Sequence, residues 1–192
     1  MDQFVAAKCK AASHTLYNIR KIREYLSMDT CRTIVQALVI SKLDYANGLL
    51  YGINKDLLNK LQLVQNMAAK LCLNRRKYDS STDALMTLHW LPIRFRIKYK
   101  IVLIVFKCMH DMAPDYLKTM FEFSHNDNRG LRSNDKLLLR VPKTRCVTFG
   151  DRALSAIGPK LWNELPYSMR ILDNVDKFKN DLKTFYFRQA FY

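Results

Sequence analysis

The sequence predicts a mainly α fold, a helical bundle followed by a small α+β segment with a short β-hairpin. Three observations carry that expectation. Long stretches contain neither Gly nor Pro. Within them apolar residues return at steps of three and four, the repeat of one helix face. From about residue 135 the texture changes to short apolar runs bounded by turn formers, which is the pattern of short strands.

From Phe4 to Leu26 the spacing predicts one long helix with Ala12, Leu16, Ile19, Ile22 and Leu26 on its inner face. Arg20, Lys21 and Arg23 stand near its C-terminal end, where cations either complement the helix dipole or reach a phosphate. Asp29 or Thr30 is positioned to cap a second helix running to about Tyr45, with Ile34, Leu38, Ser41 and Tyr45 facing inward and Gly48 ending it. Asn54 opens a third, where Leu57, Leu61, Val64, Ala68 and Leu71 form a heptad-like seam, the wall of a bundle. Ser80 and Asp83 have capping-box spacing for a short helix ending near Leu88.

The next helix carries Ile93, Ile97, Ile101, Ile104 and Cys108 at helical steps, with Arg94, Lys98 and Lys100 off that stripe. Pro92 suits its first position, where a missing N–H costs nothing, and Trp90 suits a hydrophobic plug at the corner before it. Pro114 begins another short helix.

Turn formers between 122 and 134 predict a loop. Beyond it, Leu137 to Pro142 and Cys146 to Phe149 read as the two strands of a hairpin with Pro142 at its edge. A helical turn from Asp151 to Ile157, a restart at Gly158-Pro159, the Trp162-Asn163 corner and a final helix with Val175, Phe178, Leu182 and Phe185 on one face complete the chain. The expected organisation is thus a three-helix bundle over 1–75, a helical extension packed on it over 76–121, a loop over 122–134 and a small α+β segment over 135–192.

Charge bears on function. The chain has 32 Lys and Arg against 17 Asp and Glu, a net of +15, which suits a polyanionic partner. Between residues 70 and 107 nine cations face only Asp79 and Asp83. Arg75, Arg76, Lys77, Arg94, Arg96, Lys98 and Lys100 are therefore the candidate phosphate contacts, which would hold nucleic acid without reading its sequence. Trp90, Pro92 and Trp162 are expected to be structural.

Enzyme chemistry finds no constellation. The four histidines are scattered, no two acidic residues are adjacent, and no phosphate-cradling glycine loop or Gly-x-Ser-x-Gly string occurs. Two-metal phosphoryl transfer needs converging carboxylates, so neither a metal nor a cofactor is expected. His89 reads as a structural histidine. Five cysteines at least 22 residues apart lack zinc-site spacing and suit reduced thiols in an intracellular protein, cytoplasmic or nuclear. No apolar run reaches the length of a membrane span, and the N-terminal residues do not form a signal peptide.

Several strings in order resemble the region that follows the polymerase core in LINE-type, non-LTR retrotransposon reverse transcriptases. They are Leu43-Asp44-Tyr45 with Asn47, Leu49-Leu50-Tyr51-Gly52, Leu61-Gln62, Val64-Gln65-Asn66 and Ala68-Ala69. Leu88-His89-Trp90-Leu91-Pro92 with Arg96, Leu131-Arg132-Ser133, Gly150-Asp151-Arg152, Trp162-Asn163 with Leu165-Pro166, and Phe178-Lys179 before Leu182-Lys183 continue the set. The resemblance implies a thumb-like bundle that grips RNA or an RNA–DNA hybrid, followed by a post-thumb extension, and a palm and fingers domain of the parent polymerase as its neighbour. Reverse transcription would belong to that palm, whose paired aspartates this sequence lacks. Alternatives from other classes are a structural or protein-interaction module, and a remnant of a mobile element with no activity.

Overall fold

Helices account for most of the chain in a computed structural model that describes residues 1–124, 137–146 and 150–192. In chain order they are α1 (Asp2–Lys21), α2 (Met28–Val35), α3 (Ser41–Asp44), α4 (Lys55–Cys72), α5 (Ser81–Thr87), α6 (Ile93–Met109), α7 (Asp115–Lys118), α8 (Leu154–Asn163), α9 (Tyr167–Arg170) and α10 (Val175–Phe191). Two compact units divide the chain: unit 1 comprises Met1–Ile97 with Phe187–Tyr192, and unit 2 comprises Lys98–Tyr186. The expected 1–75 bundle falls inside unit 1, while the 76–121 stretch contributes to both.

In unit 1, α1 buries Val5, Ala12, Leu16 and Ile19. It ends at Lys21, earlier than the expected Leu26, because Ser27 must take an extended conformation to cap α2. Its side chain accepts from the Thr30 N–H at 3.2 Å, so Ser27, not Asp29 or Thr30, is the cap. The buried face of the second helix is also displaced from the expected one. Cys31, Val35, Val39 and Leu43 are buried, whereas Leu38 and Tyr45 are half or more exposed. A step of four overshoots a 3.6-residue turn by about 40°. The wider π turn over Gln36–Ile40, between α2 and α3, absorbs that drift and keeps the fours on one side.

Helix α4 is capped by Asn54, whose side chain accepts from the Asp56 N–H; of its expected seam Leu61, Val64 and Ala68 are buried, together with Cys72, while Leu57 and Leu71 are half-buried. Its last carbonyls are capped from a distance. Arg23 Nε donates to the Leu71 carbonyl at 2.8 Å and Nη2 to that of Cys72 at 2.9 Å, so this cation serves a helix other than the one that precedes it. Lys8, on the buried face of α1, caps α3 by donating to the carbonyls of Leu43, at 3.3 Å, and Tyr45. Burial pulls its ammonium pKa down, and Asp44 opposes that shift. Cys31, Cys72 and Cys108 are buried free thiols, and burial, reinforced by Cys31, pushes Cys72 up to about 12.

Helix ends follow a rule that glycine-based reading misses. Asn74, His89 and Asp111 have φ of 51°, 51° and 57°, and each takes the left-handed position just past a helix. Arg75 N donates to Lys70, Trp90 N to Leu85 and Met112 N to Lys107, the long return bond of a Schellman motif. His89 thus does its structural work through its backbone.

At α6 the structure corrects two expectations. Pro92 is the residue before the helix, with its carbonyl accepting from Phe95 and Arg96, so it occupies the cap and not the first turn. Nor is there a single apolar stripe, because Phe95, Val102, Val105 and Phe106 are buried along with Ile93, Ile97, Ile101 and Cys108. A helix apolar on most sides is an interior helix.

Unit 2 is built around aromatic rings. Phe106 stacks on Phe178 with centroids 4.0 Å apart, and Trp162, 1% exposed, lies beside both. On α10, Phe178, Leu182 and Tyr186 are buried, while Val175 and Phe185 of the expected face are half-buried. Helix α8 runs unbroken through Gly158 and Pro159, where a restart was expected. Gly158 is needed for close approach: a Cβ there would lie 2.7 Å from the Phe121 ring and 2.9 Å from Val105. The Trp162-Asn163 corner pins an extended segment. Trp162 Nε1 donates to the Leu137 carbonyl, and Asn163 both accepts from and donates to the backbone of Leu139, all at 2.9 Å. Leu139 pairs in an antiparallel bridge with Phe123, which falls inside the expected 122–134 loop. Val147 to Phe149 of the expected hairpin, and 125–134 of the expected loop, lie outside the described residues.

Candidate nucleic-acid interface

The loop joining α4 to α5 is cationic and held by its own main chain. After the Asn74 turn, Lys70 Nζ donates to the Lys77 carbonyl at 2.7 Å, and Asp79 accepts from the Arg76 N–H at 2.7 Å. Arg75 turns toward α5, where it pairs with Asp83 and reaches Thr87 at 3.4 Å. That leaves Arg76 and Lys77 exposed and without a carboxylate among the described residues, with Lys77 5.6 Å from the centroid of the exposed Tyr78 ring.

Next along the chain, unit 1 has a groove of about 280 Å³ with mixed polar and apolar lining, between α4, α5, the Pro92 corner and the chain's last residues. A relay of amides builds one wall. Ile93 N is a donor, so Gln62 must present its oxygen to it, at 2.9 Å. The Gln62 amide nitrogen then donates to Gln65 and to Asn66, both at 2.9 Å, and Gln65 donates onward to the Leu91 carbonyl at 2.8 Å. Anchored at a backbone donor and a backbone acceptor, the relay has one consistent orientation. It fixes the Asn66 oxygen inward and leaves its NH2 as the free end. Asn59, Ser81, Thr82 and Arg94 add further polar groups to the groove. Arg94 is exposed, has no acidic partner among the described residues, and lies over the Phe95 ring at 4.5 Å.

The other predicted cations fall elsewhere. Arg96 grips Asp44 through two hydrogen bonds, one of them 2.9 Å from Nε, and Asn47 donates to the same carboxylate. It therefore ties the end of α3 to α6 and has little charge to offer a ligand. Arg94 and Arg96 leave the helix about 160° apart. Lys98 lies in unit 2, 4.0 Å from Glu164, and Lys100, also in unit 2, is exposed. Trp90 is buried at 3% exposure and cannot stack on a base. The groove's amides were missed because the seam of α4 reads as apolar. The available signal is Asn59, Gln62 and Asn66 at steps of three and four on one side of that seam.

Charge divides unequally in kind. Unit 1 holds sixteen Lys and Arg against seven acids, a net of +9, and unit 2 sixteen against ten, a net of +6. Among the described residues, unit 1 commits only Arg75 and Arg96 to ion pairs. In unit 2, Lys98, Lys118, Arg140, Lys160 and Lys179 all have carboxylates within 4.0 Å. No described helix is long and apolar enough to cross a membrane. No protein-family model matches the chain, and no curated protein or solved structure is significantly similar to it.

Proposed function

We propose that unit 1 binds nucleic acid, RNA or an RNA–DNA hybrid, by holding phosphates without reading sequence. The observation that carries this reading is the surplus of unpaired cations on ordered backbone: Arg76 and Lys77 on a hydrogen-bonded loop, and Arg94 at the adjoining groove. A fixed backbone lowers the ordering cost of binding, and the cations release counterions from the polyanion, which is the main source of sequence-independent affinity. The resemblance to the thumb region of LINE-type reverse transcriptases supports the same reading, with polymerisation assigned to a palm whose paired aspartates this sequence does not have.

Charge reversal tests it. With Arg76→Glu, Lys77→Glu and Arg94→Glu combined, RNA affinity measured by fluorescence anisotropy is expected to fall at least about tenfold. A matched triple reversal at Lys143, Arg145 and Lys177 of unit 2 is expected to do less. Equal losses from the two sets would refute the assignment.

A second reading, a surface for a protein neighbour, is favoured by the exposed apolar residues of unit 1. Leu38, Tyr45, Leu49, Leu63 and Met67 are each at least 50% exposed, and the last two stand one turn apart on α4. Self-association that is abolished by Leu63→Lys with Met67→Lys, while RNA affinity persists, would assign those residues to protein contact.

A further inference from the structure

We infer that the groove of unit 1 takes one unpaired nucleotide, so that the module engages single strands by a base as well as by phosphates. This rests on the nucleic-acid reading above and deepens it.

The groove has the composition a nucleotide needs and a bare phosphate does not. Its volume of about 280 Å³ approaches the lower end of small-ligand sites, roughly 300 Å³. A phosphate alone would be met by Arg94 with the hydroxyls of Ser81 and Thr82. Yet the groove also offers apolar surface from Leu58, Leu85, Pro92 and Phe191. Flat apolar walls with a few placed amides are how unstacked bases are held, through stacking and hydrogen bonds to their edges.

Two features make the site built rather than incidental. The relay from Leu91 and Ile93 through Gln65 and Gln62 fixes the Asn66 oxygen and leaves its NH2 free before any ligand arrives. Gln65, at the root of the relay, is fully buried, and its bond to the Leu91 carbonyl sets the orientation of the amides. Phe191, which also lines the groove, is backed by Phe187, with centroids 4.7 Å apart, and Phe187 in turn lies 5.5 Å from His89. The aromatic wall and the amide wall are thus each held from behind. Carbonyl acceptors on a base edge would meet Asn66 and Asn59, the ring would lie against Phe191, and the attached phosphate would sit at Arg94. A base paired within a duplex has its edge occupied and its faces stacked, so only an unpaired one can enter.

The test separates bases from phosphates at constant charge. Affinity of the full chain is measured for a short single strand and for an abasic backbone of equal length, each with ribose and with deoxyribose. The base-bearing strand is expected to bind about tenfold tighter in at least one sugar series, and Phe191→Ala or Asn66→Ala to remove most of that gap while leaving abasic affinity unchanged. Unchanged abasic affinity also shows that the variants fold. Equal binding of base-bearing and abasic strands in both series would overturn the nucleotide site and leave phosphate holding intact. Absence of binding to either strand, with an RNA–DNA hybrid of equal length also unbound, would overturn both readings, whereas binding of the hybrid alone would overturn only the nucleotide site.

Discussion

Units 1 and 2 carry similar numbers of cations and spend them differently. Among the described residues of unit 2 five cations sit beside carboxylates, and an aromatic core of Phe106, Trp162 and Phe178 holds the fold. In unit 1 the two ion pairs are structural, the amide relay and long-range caps join the helices, and most of the charge is left over. Net charge alone would not distinguish them as clearly, at +9 and +6. What matters is how many cations have a carboxylate already, because a paired cation must surrender its partner before it can hold a phosphate.

The contrast in cohesion can be broken first at Trp162. Because Trp90 lies in unit 1 and Trp162 in unit 2, Trp162→Ala leaves one fluorophore reporting on unit 1. The substitution is expected to cost unit 2 about 3–5 kcal/mol. Denaturant unfolding followed by circular dichroism should show an early transition, and persistence of a single wild-type transition would show that the aromatic core is not what holds unit 2.

Next in size is Gln62→Ala in unit 1. It removes the acceptor of Ile93 N and the donor to Gln65 and Asn66. An expected loss of about 2–3 kcal/mol, read from tryptophan emission on denaturation, follows from leaving the buried Gln65 and the Ile93 N–H unsatisfied. A loss under about 0.5 kcal/mol, the level of an ordinary surface substitution, would mean the relay is decorative.

Ala46→Gly should act in the other direction. Ala46 is exposed and has φ of 49°, a left-handed conformation that costs a residue with a Cβ about 1–2 kcal/mol. Glycine relieves that strain and gives back part of it in unfolded-state entropy, so a net gain of about 0.5–1 kcal/mol is expected in the unfolding midpoint of unit 1.

The smallest effect concerns acid. The Thr144 hydroxyl, and after it Lys160, hold the Asp151 carboxyl below its ordinary 3.8. Because the folded value is depressed, its contribution to unit 2 is complete above that pH and is lost as pH falls through the lower folded value. Thr144→Val should make the acid transition begin at higher pH, and an unshifted transition would remove the Thr144 contact from the stability of the unit.

Much of this fold was legible in the sequence because its signals are local. Asn54 and Ser80 cap where their side chains demand it, and Leu61, Val64 and Ala68 bury where their spacing demands it. The failures have a common cause, which is that the deciding partner is distant or unusual. A π turn moved the second helix's face, and Leu139 pairs backward to Phe123, inside the expected loop. At the candidate interface, charge singles out seven cations alike, but Arg75 and Arg96 reach acids at eight and 52 residues' separation, which composition does not reveal. The groove needed four segments brought together and was invisible for the same reason.

Salt titration of RNA binding tests most directly whether unit 1's unpaired cations hold phosphates. If Arg76, Lys77 and Arg94 each neutralise one phosphate of a single strand, log affinity should fall with log salt at a slope of about −2.1, and a roughly fourfold rise in salt should weaken binding about twentyfold. The triple variant Arg76→Glu, Lys77→Glu, Arg94→Glu should flatten that slope. A wild-type slope near zero, or one that the triple variant leaves unchanged, would contradict the claim.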